Sequence, residues 1–112
     1  MIKLIPLILL ASCTTYDITG AWSAKVGPFK STFIFYADQQ GKFCYSGRGH
    51  NIVELANYED GIIYTQGGYE AVIISADDTL VIEVDADGVE RYEFVRDDKL
   101  YKASWFCWSK LH

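Results

Sequence analysis

The stretch that decides the fold is Tyr69–Val95, YEAVIISADDTLVIEVDADGVERYEFV. It holds three runs of ordinary strand length, Tyr69–Ser75, Thr79–Val84 and Val89–Val95, each rich in β-branched or aromatic side chains. Asp77-Asp78 separates the first two runs, and Asp85-Ala86-Asp87-Gly88 separates the last two. Asp-Gly between hydrophobic runs is a strong hairpin signal, because the turn needs residues that tolerate positive φ. Leu80, Ile82 and Val84 fall on one face, and so do Tyr92 and Phe94, since strand side chains alternate. Two successive hairpins predict an antiparallel meander.

The pattern extends backwards. Gly20–Val26 alternates with Trp22, Ala24 and Val26 on one face, and Ser31–Tyr36 is β-branched and aromatic. Ala37–Gly41 turns the chain into Lys42–Ser46, and Gly47-Arg48-Gly49 makes a corner. Asn51–Tyr58 fits a short helix about as well as a strand; the strand is preferred because Glu59-Asp60-Gly61 then forms a hairpin into Ile62–Gln66. A last segment, Leu100–Trp108, reads as alternating, with Trp105 and Cys107 on one face and Phe106 and Trp108 on the other. Regular short strands with tight turns predict an all-β domain over residues 20–112. The expected fold is a small antiparallel meander β-barrel of about eight strands, which leaves no exposed edge.

Residues 1–12 read differently. Lys3 precedes an apolar run, Leu4–Ala11, and Ser12 and Cys13 close it. A membrane-spanning helix needs about 20 apolar residues, so this run reads as a cleaved secretory segment. Leu10-Ala11-Ser12-Cys13 resembles a bacterial lipobox, in which the leader is cut before the cysteine and lipid is attached to its sulfur. The resemblance implies a lipidated Cys13, with residues 13–19 as a short tether. Two or more acyl chains anchor a protein stably. Thr14, where an aspartate would favour inner-membrane retention, implies the outer membrane, lipid-anchored and facing the periplasm.

Without the leader, nine basic side chains stand against fifteen acidic ones, a formal charge of −6. Nucleic acid is disfavoured as a partner and a cationic one favoured. With Cys13 committed to lipid, Cys44 and Cys107 remain, in a compartment where disulfides persist. A bridge is expected. Zinc held by Cys44, His50, Cys107 and His112 is the weaker alternative. No metal or cofactor is expected.

Asp17-Ile18-Thr19-Gly20-Ala21-Trp22 resembles the opening of lipocalin-like barrels, where Gly-x-Trp begins the first strand. That resemblance implies a structural role for Trp22, plugging the closed end. More broadly the chain is similar to a group of small Gram-negative outer-membrane lipoproteins. The features carrying this are the leader, Tyr16-Asp17, Val26-Gly27-Pro28, Cys44-Tyr45-Ser46-Gly47 and Cys107. The family implies no particular activity. In so short a barrel the inward aromatic set, Phe33, Phe35, Phe43, Tyr92 and Phe94, reads first as a filled core and second as the lining of a small apolar cavity.

Enzymatic motifs are missing: there is no nucleophile elbow, phosphate loop or metalloprotease helix. Asp85–Glu90 resembles a fragment of a calcium loop but lacks the third ligand and the glycine at loop position six, so a hairpin turn is expected. Two surfaces are candidates for binding. One is the glycine corner with Arg48 and His50. The other is Trp105-Phe106-Cys107-Trp108, where Trp105 and Trp108 lie on opposite faces and packing one face would leave aromatic side chains exposed on the other. The favoured function is a non-enzymatic envelope lipoprotein binding an apolar small ligand or envelope component. One alternative is a protein-binding module, similar in size and charge to periplasmic lysozyme inhibitors or toxin immunity proteins. Another is a structural lipoprotein with no ligand.

Overall fold

The computed structural model describes residues 16–85 and 87–112. Cys13 and the leader, read above from the sequence, lie outside the described residues. Eight strands follow one another: β1 Gly20–Val26, β2 Phe29–Phe35, β3 Gln40–Gly47, β4 His50–Glu59, β5 Ile62–Thr65, β6 Glu70–Ala76, β7 Thr79–Asp85 and β8 Val89–Arg96. A short helix, α1, covers Trp105–Leu111. Each strand pairs antiparallel with the next. The pairs Trp22↔Arg96 and Ser23↔Val95 join β8 to β1, so the sheet is a closed eight-stranded barrel. Asn51–Tyr58 is strand, with Asn51–Asn57 paired to β3.

Turn chemistry fixes the registers. Arg48 (φ 50°) and Gly49 (φ 82°) form a two-residue loop between the Gly47↔His50 pair, as a type I′ hairpin requires. Asp60-Gly61 does the same between β4 and β5.

The final segment is a correction. Leu100–Trp108 contains no strand; the chain leaves β8 and enters α1. With β8 already paired to β1, the barrel has no free edge for a ninth strand. Ser104 caps the helix by accepting from the Cys107 N–H at 3.1 Å. Burial therefore follows the helical spacing: Cys107 and Leu111, four residues apart, turn inward together.

The described residues form two cores. One fills the barrel around Trp22, Phe33, Phe35, Ile63, Leu80, Ile82 and Phe94. The other lies outside the barrel wall, where Leu100, Cys107 and Leu111 pack on Ala21 and Cys44. Cys44 and Cys107 are joined by a disulfide, with Cα atoms 5.7 Å apart, so α1 is stapled to the outer face of β3.

Asp97 ties the same C-terminal segment to the wall. Its carboxylate accepts from the Tyr101 and Lys102 N–H groups, each at 2.9 Å, and from the Ser23 hydroxyl at 2.8 Å. Ser23 has one hydroxyl proton and gives it to Asp97, so Thr32 must donate in the 2.7 Å Ser23–Thr32 bond. All three residues are buried.

Candidate ligand cavity

The two ends of the barrel differ. At one end the chain enters across the opening: Ile18 is buried, and the Tyr16 N–H donates to the Tyr58 hydroxyl at 2.9 Å. Trp22 lies beneath, fully buried, and its indole N–H donates to the Ile18 carbonyl at 3.0 Å. The Arg96 guanidinium covers the ring, 3.9 Å from its centroid, and also donates to the Thr19 carbonyl at 2.6 Å. Gly20 (φ 116°) permits this closure. A β-carbon there would strike both the Arg96 guanidinium and the Asp98 carboxylate, and the backbone sits in a region L side chains rarely adopt.

The opposite end, bounded by the β1–β2, β3–β4, β5–β6 and β7–β8 turns, opens into a cavity of about 250 Å³. Phe33, Phe43, Ile63, Ala71, Ile82 and Phe94 form its floor and walls, and Val26, Phe29, Tyr45, Thr65, Tyr69, Val84, Glu90 and Tyr92 stand toward the mouth. So the inward aromatic set divides. Phe35 packs toward the closed end in the barrel core, whereas Phe33, Phe43, Tyr92 and Phe94 line the cavity. The aromatic side chains pack on one another rather than filling the space. Phe33 stacks on Phe43 at 4.4 Å, Phe43 meets Tyr45 at 5.1 Å, and Phe29 meets Tyr45 edge-on at 5.7 Å. Two small residues leave the remaining volume open: Ser31, within the aromatic cluster between Phe29 and Phe33 and paired with Tyr45, and Ala71 on β6 across the barrel.

Polar groups concentrate at the mouth. The Tyr92 hydroxyl donates to Glu90 at 2.9 Å, and this bond to a carboxylate raises the phenol's pKa. Burial raises the Tyr45 phenol, reinforced by its neighbours Tyr69 and Glu54. Glu54 accepts from the Gly67 N–H at 2.6 Å and so braces the β5–β6 turn.

Comparisons with protein-family models, with curated proteins and with solved structures find no match to this chain.

The residues singled out from sequence scatter. Arg48 and His50 are exposed at the tip of the β3–β4 hairpin, at the open end but not lining the cavity. Trp105 is 79% exposed and Trp108 is 40% exposed, the latter stacked on His112 at 3.9 Å. Phe106 is packed against the outer core, so the expected pairing of Phe106 with Trp108 on one face does not occur. Cys44 and Cys107 hold each other, which removes both as zinc thiolates. The sequence reading assigns no ligand role to Glu90, Tyr45 or Tyr69, which line the cavity. The signal for Glu90 was present: it shares parity with Tyr92 and Phe94, which puts a carboxylate on an inward face.

Proposed function

We propose that this chain is a non-enzymatic cell-envelope lipoprotein whose barrel binds a small apolar ligand. The cavity is the observation that carries the proposal: apolar on its floor, with its one charged lining residue, Glu90, at the rim, and open at one end. Binding sites commonly combine an apolar body with a few converging polar groups. An apolar cavity of about 150 Å³ holds benzene, so about 250 Å³ suits a molecule of about ten non-hydrogen atoms.

Lipid on Cys13 accords with this geometry. The chain enters at the closed end, through Tyr16–Thr19, so a tether to a membrane leaves the mouth pointing away from the anchor. A ligand then arrives from the aqueous side. Two measurements test the proposal. Neopentylbenzene, a neutral hydrocarbon probe, should raise the melting temperature in a saturable way. A radiolabelled palmitate precursor should label the wild-type chain and not Cys13→Ser. No rise in melting temperature removes the ligand; no label removes the anchor.

A protein-binding role rests on a different observation, the exposure of Trp105 at the start of α1 and of Tyr101 just before it, on an acidic chain. Inhibition of lysozyme at low ionic strength, lost in Trp105→Ala, would favour it.

A further inference from the structure

We propose that the ligand is a cationic amphiphile, an apolar body carrying an alkylammonium head that sits between the aromatic rim and Glu90. The inference rests on the apolar-cavity reading above and deepens it by assigning the head group.

Three observations support it. First, the rim is aromatic on several sides: Phe29, Tyr45, Tyr69 and Tyr92 surround the mouth. Ring faces carry partial negative charge and attract cations, and aromatic cages are a common way to hold quaternary ammonium groups. Second, the one charged side chain that lines the cavity is a carboxylate, Glu90; among the described lining residues there is no Lys, Arg or His. Third, Glu90 breaks the barrel's own pattern. It pairs with Val84 on β7, two residues along from the Ile82↔Tyr92 pair, so an exposed rim carboxylate stands on the same inward face of β8 as the half-buried Tyr92 and the buried Phe94. Tyr92 holds it there by a hydrogen bond to one oxygen, leaving the other oxygen for a ligand. Departures from inward-apolar patterning are expected where a site is built.

Charge nearby points the same way. Glu54, opposite Phe43 on β3 and bonded to the Gly67 N–H, adds a second carboxylate at this end, although it stands outside the cavity lining. Arg48, the cation at the β3–β4 tip, would be the partner of an anionic head, but it stands outside the cavity lining. Arg96, which shares the inward face of β8 with Phe94, is at the closed end over Trp22.

The test uses an isosteric pair. Benzyltrimethylammonium and neopentylbenzene have the same shape and differ in one atom, a nitrogen for a quaternary carbon; 3-phenylpropanoate supplies the anionic arm. Dissociation constants are measured by NMR titration of the purified protein. Glu90→Gln should weaken benzyltrimethylammonium about tenfold and leave neopentylbenzene unchanged, with Tyr45→Leu showing the same selectivity more weakly. 3-Phenylpropanoate should bind least well of the three. If Glu90→Gln weakens neither probe, or if 3-phenylpropanoate binds better than the cation, the head-group assignment is wrong while the cavity reading stands. If neither the hydrocarbon nor the cation binds wild type, both are wrong.

Discussion

Arg96 lies with its guanidinium carbon 3.9 Å from the centroid of the Trp22 ring, and this contact makes the barrel asymmetric. One end is sealed by a cation on an indole, held from above by the Ile18 and Thr19 carbonyls. The other end, with no such pair among the described residues, opens into the cavity. Arg96→Ala should destabilise the domain by about 1–2 kcal/mol, from lost cation–π contact and a lost charged hydrogen bond. Trp22→Ala should cost about 3–5 kcal/mol. Urea unfolding checks both, and an Arg96→Ala variant as stable as wild type contradicts the sealing role.

Loss of the disulfide should act mainly on the C-terminal segment. Cys44 and Cys107 are 63 residues apart in sequence, and closing so large a loop contributes about 4 kcal/mol in the chain-entropy picture. Cys107→Ser should therefore lower stability by about 2–5 kcal/mol. Hydrogen exchange should quicken first in α1, since the barrel strands keep their own pairing.

Asp97 is the second fastening of that segment. Asp97→Ala removes the acceptor for the Tyr101 and Lys102 N–H groups and for Ser23. A cost of about 3 kcal/mol is expected, because hydrogen bonds to a charged group are worth more than neutral ones. Ser23→Ala, which takes away one of the three bonds, should cost about 1 kcal/mol. Equal losses in the two variants contradict this ranking.

Alkaline pH should weaken the fold through the rim tyrosines. The phenols of Tyr45 and Tyr92 are both raised above the ordinary 10.0. Between that value and the raised one the native chain holds more protons than the unfolded chain, so unfolding free energy falls as pH rises. Stability is fully present below about pH 10 and declines above it. Tyr92→Phe should flatten the decline, as measured by urea unfolding across this range.

Much of the fold was legible in the sequence, and the reasons are local. Asp60-Gly61 and Asp85–Gly88 announce their hairpins, and Leu80, Ile82 and Val84 announce a core face by alternation alone. The helix was not legible. Trp105-Phe106-Cys107-Trp108 is apolar throughout, so neither period stands out, and the deciding fact is tertiary. β8 already pairs with β1, and the chain must cross the outer wall where Cys44 waits. The cavity was half legible. Strand parity places Phe33, Phe43, Tyr92 and Phe94 inside, but whether they meet or leave a gap depends on small residues across the barrel. Ala71 on β6 is such a residue, a neighbour of the β2 and β3 aromatics that sequence spacing does not show. Glu90 was concealed by its position beside an acidic turn, where a solvated carboxylate is the ordinary expectation.

The central claim is that the open cavity takes an apolar ligand, and site-resolved NMR titration with neopentylbenzene tests it most directly. Wild type should show saturable shifts at Phe33, Phe43, Ile82 and Phe94, while α1 stays unmoved. Ala71→Phe, which places a ring in the cavity, should keep the fold and abolish the shifts. Absence of saturable shifts in wild type, or the same shifts in Ala71→Phe, would contradict the account.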